Sequence, residues 1–482
     1  MSSVKNNFIY SSILTTINYI IPIIVFPYIS RVLGVEKIGV CGFVDSVIQY
    51  FTLFSTMGIT TLGIREIAKA GENKQQRSQI FSSLIILNAI CTLVFAVVLL
   101  ISIYTVEKFS DYKELLFIGL IKLCFNLFLV EWLYKGLEDF KYITIRTVSI
   151  RVLYVISVFI FVRSESDYIV YYFLTSMVFV INAIINIIHA RKKVRFVLRG
   201  INLCQQMSPF FILGIYQIVT SLYTTFNVAY LGFISNEAEV GYYSTAHKFF
   251  SIIIALFTAF TGVMLPRMSS LLSKGDMKLF KTYINKSLYI LIELSIPLII
   301  FVTVYAPDLI LLMSGNGYEG AILPMQIAMP LVLVIGYEQI LIIQILMPLN
   351  KDKYVFINSC IGALVGLILN VILVPKLYAV GATLSWFGAE IAVLISAQIR
   401  VKQIINQCLS YRYLIKNLIM YIPLLFILLL LLNYNVTNNI TRISVPLLVV
   451  VGYFVIVNFY ILKNSISGAF IRNTINNIIH RF

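Results

Sequence analysis

The chain has 482 residues, of which 60% are hydrophobic and only 12% charged, with a mean hydropathy of +0.92. A soluble domain carries roughly 25% charged residues, so a soluble globular fold is excluded and many membrane spans of about 20 residues are implied. The formal net charge of +16 would suit a nucleic-acid binder only if the basic residues were gathered for that purpose, and their distribution says otherwise.

Apolar runs between polar punctuation predict helices near 8–29, 38–60, 80–103, 114–134, 143–163 and 168–190. A second group falls near 208–233, 243–265, 286–305, 321–347, 354–374 and 379–399, and two more lie near 414–433 and 443–462. The expected fold is therefore an all-α polytopic membrane protein of about fourteen transmembrane helices. The first run is too long for the apolar part of a secretory signal and no small-residue cleavage pattern follows it, so it reads as a permanent helix. The six cysteines, Cys41, Cys91, Cys124, Cys204, Cys360 and Cys408, lack CxxC spacing and mostly fall in apolar runs. They read as small hydrophobes, with no metal site or disulfide expected.

Alternate connections differ sharply in charge. About 27 of the 37 Lys and Arg residues fall on one side, which holds the N-terminus, connections such as Arg65–Arg77, Arg191–Arg199 and Arg267–Lys286, and the C-terminus. Such a bias places both termini in the cytoplasm and accounts for most of the basic charge without nucleic acid. The opposite connections are short, Ser164–Asp167 and Ser235–Glu239 among them, which leaves no external domain for glycan-building chemistry.

The two halves of the chain correspond. At an offset of 202, Gly39 falls on Gly241 and Arg65 on Arg267; at 212, Lys141-Tyr142 falls on Lys353-Tyr354. A duplicated six-helix unit follows, both copies keeping one orientation because six is even. The expected domains are residues 1–199 (helices one to six), 200–403 (helices seven to twelve) and 404–482 (two further helices and a cytoplasmic tail). Two parallel lobes around a central cavity are a known transporter plan.

Polar residues inside spans need partners or a cavity. Helix one carries Ser11, Thr15, Asn18 and Pro22, and helix two carries Asp45, Gln49, Thr52 and Thr56. Helix seven carries Gly214, Gln217, Ser221 and Thr224, and helix eight Ser244, Lys248, Ser251 and Thr258. Spacings of three, four and seven put each set on one helix face, for a shared cavity or for helix–helix packing by small polar residues. Three cations lie within spans: Lys122, Arg151 and Lys248, the last beside His247. Each costs roughly 2.5–3.5 kcal/mol at a helix centre. They imply an anionic substrate, or pairing with Asp45, Glu131, Glu293, Glu338 or Glu390. Arg31 ends helix one as an anchor or a functional cation. Arg65 and Arg267 stand at cytoplasmic helix ends, as topology anchors or as a gateway for a phosphate from the inner leaflet. Glu338 and Glu390 read as packed, hydrogen-bonded carboxyls more than as proton sites. No GxxxxGK[ST] motif is present to cradle a nucleotide, and neither HExxH nor GxSxG occurs. The sequons at Asn435 and Asn439 carry little weight in an Asn-rich chain.

The segment Pro27-Tyr28-Ile29-Ser30-Arg31-Val32-Leu33-Gly34, followed by Gly39, resembles the N-terminal signature of Wzx-type polysaccharide repeat-unit flippases. The run from Gly58 to Ala68, with Gly63-Ile64-Arg65-Glu66-Ile67, resembles the end of that family's second helix. These proteins share a superfamily with the multidrug and toxin exporters and the lipid II flippase. The resemblance implies two six-helix lobes working by alternating access. Its implied cargo is an oligosaccharide on undecaprenyl pyrophosphate, moved from the cytoplasmic to the outer leaflet of a bacterial inner membrane for O-antigen or capsule. It also implies substrate-binding cations, carried by residue type and helix to Arg31, Lys122, Arg151 and Lys248. Asn18, Asp45, Gln49, Gln217 and Ser221 would then be the cavity's polar lining. No enzyme activity, cofactor or nucleotide is implied; the partners are the lipid-linked glycan, the bilayer and polysaccharide polymerase machinery. A proton or sodium gradient and downstream consumption of the glycan both fit as the energy source. A cation-coupled drug exporter and the lipid II flippase itself stay open as alternatives, the former disfavoured by the intramembrane cations.

Overall fold

The computed structural model describes residues 4–406, 411–433 and 439–458. Cys408 and the sequon at Asn435 lie outside the described residues, as does the end of the helix expected to 462. Among the described residues the chain is helical with no strand, as an apolar solvent requires: only a helix or a closed barrel satisfies its own backbone in lipid. Two compact units result, residues 1–241 and 242–482. By length and apolarity ten of the described helices can cross a membrane, or eleven counting the pair Glu319–Ala328 and Leu331–Leu346, which bends by 41°.

In the N-terminal unit, α1 (Val4–Thr56) runs 53 residues. At 1.5 Å per residue that is about 80 Å, more than twice a hydrocarbon core of about 30 Å. It holds the first two predicted helices, and its one non-helical residue, Gly34 (φ 71°, ψ 171°), marks the bend between them. Only glycine adopts that conformation without strain, which gives the Leu33-Gly34 dipeptide a structural reason. Next come α2 (Ile59–Ala70), α3 (Lys74–Thr105), α4 (Lys113–Asn126), α5 (Glu131–Gly136), α6 (Phe140–Phe161), α7 (Tyr168–Ala190), α8 (Leu203–Thr224) and α9 (Phe226–Ile234). The predicted helix over 114–134 is thus broken. Between α4 and α5 the chain passes through Val130 in the left-handed region (φ 30°, ψ 32°), which a β-branched residue rarely adopts.

Two backbone-to-backbone approaches set the spacing of helices here. A Cβ at Gly39 would collide with the Glu237 carbonyl, and one at Gly241 with that of Val35. Just beyond α1, at the N-cap of α2, Gly58 N–H donates to the Phe210 carbonyl at 3.1 Å, and a Cβ on Gly58 or Gly214 would run into α8 or Met57 respectively. Small residues let membrane helices approach where the hydrophobic effect gives no drive to associate.

The C-terminal unit comprises most of α10 (Glu237–Ser273), then α11 (Met277–Val304), α12 (Ala306–Ser314), α13 (Ile322–Ala328) and α14 (Leu331–Gln339). A π-helical stretch, Ile340–Leu346, follows, with α15 (Asp352–Ile405), α16 (Tyr411–Leu432) and α17 (Asn439–Ile456). Like α1, α15 contains two predicted helices, here divided at Tyr378 (φ 46°, ψ −119°). Arg442 Nε lies 2.9 Å from Asp308 Oδ1, joining α17 to α12. Burial raises the Asp308 carboxyl above its ordinary range, against the opposing pull of Arg442.

Gly39→Val is expected to destabilise the protein by about 1–3 kcal/mol, the usual cost of overpacking. Thermal unfolding of the detergent-purified protein should show a lower midpoint. Gly262→Ala serves as the matched control, since a Cβ there meets nothing within 4 Å; equal midpoints for both variants would rule out the close approach at Gly39.

Candidate functional site

The polar stripes of α1 and α8 meet. Gln49, Tyr50 and Leu53 face Tyr216, Gln217, Thr220, Ser221, Thr224 and Thr225 across a cavity of about 280 Å³ within the N-terminal unit. Positions 217, 220, 221 and 224 share one helix face because they are three, four and seven residues apart. The hydroxyls are turned to their own helix: Thr220 donates to the Tyr216 carbonyl at 3.0 Å, Ser221 to that of Ile218 at 2.7 Å, and Thr224 to that of Thr220 at 3.0 Å. Each hydroxyl hydrogen is thereby used while oxygen lone pairs remain as acceptors. Tyr50 Oη donates to the Ser221 carbonyl at 2.9 Å, tying the two walls together. The Gln49 and Gln217 amides make no hydrogen bond among the described residues, so each offers the cavity two N–H donors and a carbonyl acceptor. The lining carries no charged residue, and its polar side chains are set in a surface that is mostly apolar.

One turn before Gln49, Asp45 is taken up by a cation. Lys122 Nζ on α4 lies 2.6 Å from Asp45 Oδ1 and 4.4 Å from the centre of the Phe179 ring. The lysine side chain is 13% exposed and the aspartate 49%. Two of the residues singled out in the sequence therefore neutralise one another, and neither lines the cavity. Arg151, half-buried on α6, forms no ion pair or hydrogen bond among the described residues. Arg31 and Asn18 are exposed on the first half of α1. Arg65 is exposed and its Nε lies 3.0 Å from Glu66 Oε1.

In the C-terminal unit, Lys248 is half-buried on α10. Arg267 is exposed, bonds the Tyr283 hydroxyl and lies 4.1 Å from that ring's centre. Thr258, part of the fourth stripe, accepts from Gln339 Nε2 at 3.0 Å, so this stretch of the stripe serves packing against α14. Glu338 and Glu390 are buried next to each other, and Trp386 Nε1 donates to Glu390 at 2.9 Å. Glu390 is thus a packed, hydrogen-bonded carboxyl, whereas Glu338 Oε2 is buried without a hydrogen-bond partner among the described residues.

Sequence reasoning missed a fourth cation of the N-terminal unit. Arg146, five residues before Arg151, has a side chain only 3% exposed. Its Nη2 lies 2.6 Å from Glu131 Oε1 and its Nη1 bonds the Asn186 side chain. Asn186 is fully buried. Its Nδ2 donates to the Leu129 carbonyl in the α4–α5 break, and its own carbonyl accepts from Tyr134 Oη at 2.5 Å. Position near a predicted helix start made Arg146 look like another loop charge; Glu131, fifteen residues earlier, was the available clue.

A family model described as polysaccharide biosynthesis protein matches residues 4–272, more than half of the chain and including every wall of this cavity. The chain belongs to that family. It is 26% identical over 394 residues to an Escherichia coli (strain K12) protein named "Putative O-antigen transporter", covering 81% of this chain and 95% of that relative. Its fold is that of two solved transporters. A structure of the lipid II flippase MurJ matches with a TM-score of 0.79 at 16% identity, over 97% of this chain and 100% of that one. An inward-facing multidrug resistance transporter of the MATE family matches with a TM-score of 0.64 at 15% identity, over 80% and 94%. The family member described here is a multi-pass membrane transporter, not an enzyme.

Arg146→Met, which leaves Glu131 without its buried partner, is expected to cost about 3–5 kcal/mol of stability. Arg146→Met combined with Glu131→Leu should recover part of that loss. Unfolding midpoints of these two variants against wild type check this, and Arg146→Met as stable as wild type would show that the pair holds nothing together.

Proposed function

We propose that this transporter flips an undecaprenyl-pyrophosphate-linked oligosaccharide repeat unit from the cytoplasmic to the outer leaflet of a bacterial inner membrane, by alternating access, for O-antigen or capsule. The observation that carries this reading is the uncharged cavity between α1 and α8, in which glutamine, serine and threonine side chains interrupt a mostly apolar surface. Amides and hydroxyl oxygens inside otherwise apolar helices offer the neutral donors and acceptors that sugar hydroxyls need. The O-antigen transporter relatives, aligned over four-fifths of the chain, support the same cargo class.

Charge and sugar recognition are separate in this scheme. The glycan lies along Gln49, Gln217 and Ser221, while cations outside that lining meet the pyrophosphate. Arg151 is the cation of first choice because it forms no ion pair among the described residues, Glu131 acting on it only at longer range. Lys122 becomes available when the substrate's anion competes with Asp45. Arg31, Lys248, Arg65 and Arg267 keep the contact and gateway roles that their residue type and helix suggest. A cationic drug is a poorer cargo, since Asp45, the one acidic residue on the α1 stripe, is occupied by Lys122.

The test is the sidedness of lipid-linked glycan in oriented vesicles, read with a membrane-impermeant sugar-labelling reagent. Cells lacking the protein should accumulate intact repeat units on the cytoplasmic leaflet, and the wild-type gene should relieve this. Gln49→Leu with Gln217→Leu removes two hydrogen-bonding groups of about 0.5–1.5 kcal/mol each and should slow flipping about tenfold. Arg151→Ala should be slower still. Sidedness unchanged by deletion would overturn the flippase reading.

Asp45→Asn and Lys122→Met separate two roles for the ion pair. If Lys122 meets the substrate, Asp45→Asn keeps or raises flipping while Lys122→Met abolishes it in the same vesicle assay. Equal loss in both, restored by the double variant, would make the pair a packing element only.

A further inference from the structure

The largest cavity of the N-terminal unit among those described is not the one between α1 and α8. About 530 Å³ is enclosed by the first turns of α3 and the segment that leaves α7. Six cations line it: Lys74, Arg191, Lys192, Lys193, Arg195 and Arg199. No carboxylate lines it, and only Lys193 is ion-paired among the described residues, at 3.1 Å from Asp139. The positive end of the α3 dipole adds to this setting for an anion, although Asn73 caps the Gln76 N–H at 3.0 Å.

The segment is pinned, so the charge is held in place. Arg195 N–H donates to Ser78 Oγ at 3.0 Å and Val197 N–H to Ser82 Oγ at 2.9 Å. Both serines are buried on α3. Arg195, Val197 and Arg199 line the cavity together with Val194. Phe196 and Leu198 do not line it and are 57% and 69% exposed. Two large apolar side chains lying exposed between arginines are what a segment at the headgroup level of a bilayer presents. The same arginines contribute to the charge bias that assigns this face to the cytoplasm.

We propose that this cavity binds the phosphate of a lipid headgroup in the cytoplasmic leaflet, with Phe196 and Leu198 inserted among the acyl chains beside it. The site is separate from the α1–α8 cavity, with which it shares no lining residue, and it stands whether or not the glycan reading holds. Cationic density recognises the phosphate, and the exposed apolar pair distinguishes a lipid from a soluble anion.

A Phe196→Trp reporter in the full-length purified protein reads this directly. Brominated phosphatidylglycerol is expected to quench its added fluorescence more strongly than brominated phosphatidylcholine. Arg195→Gln with Arg199→Gln, both at exposed positions, should weaken phosphatidylglycerol binding by about fivefold per cation removed, and Arg195→Lys with Arg199→Lys should restore it. Competition identifies the source of the phosphate. Displacement by a polyprenyl pyrophosphate but not by soluble pyrophosphate supports a lipid-borne group and names the cargo as its carrier; persistence against both supports a resident phospholipid. Soluble pyrophosphate displacing the lipid at equal concentration would overturn the proposal, as would equal quenching by the two brominated lipids.

Discussion

Inside a bilayer no water completes the hydrogen bonding of a broken helix, and the N-terminal unit depends on how that is solved between α4 and α5. The chain breaks at 127–130, with Val130 held in a strained left-handed conformation, a cost of order 1–3 kcal/mol. Asn186 from α7 reaches into the break and donates to the Leu129 carbonyl. Its oxygen in turn accepts from Arg146 and Tyr142, and Arg146 is neutralised by Glu131 at the start of α5. A discontinuous helix, a buried cation and a buried amide thus share one network, in which Arg146 Nε keeps no hydrogen-bond partner among the described residues. A half-satisfied version would be worse than apolar packing.

That network lies on the same helix as Arg151. α6 carries one arginine with every charge partner in place and, five residues on, another without an ion pair among the described residues. Arg146 has a structural explanation and Arg151 does not. A half-buried cation in a span is costly unless something else meets it, which is why Arg151 rather than Arg146 belongs with the cargo in our proposal.

Neutrality of the α1–α8 cavity follows from a similar local logic. Serine and threonine hydroxyls on α8 spend their hydrogens on carbonyls three or four residues back, as such residues do within helices. The asparagine-like freedom to donate is left to two glutamines. Close approach at Gly58 and Gly214 brings the stripes near enough to share a lining, and Tyr50 locks them. Charge is concentrated elsewhere, in the pinned segment after α7, whose cations line a second cavity.

The sequence by itself determined the class, the helical content, the apolar runs and the helix faces. Gln49 falls on the same face as Asp45, and Ser221 on the same face as Gln217, because 3.6 residues make a turn, whatever the rest of the chain does. It also placed the bend at Gly34 between two runs. Which faces meet was beyond it. The partner of Lys122 was one of five carboxylates in the sequence, and α4–α1 packing selected Asp45. Asn186 and Arg146 looked like an ordinary polar residue and a loop charge, since nothing local records that a helix 57 residues away breaks at Leu129. That Phe196 and Leu198 lie exposed beside a cationic cavity is likewise visible only in the structure. Periodicity is a property of one helix, legible in one segment. Pairing, burial and exposure are properties of several segments at once, and only packing decides them.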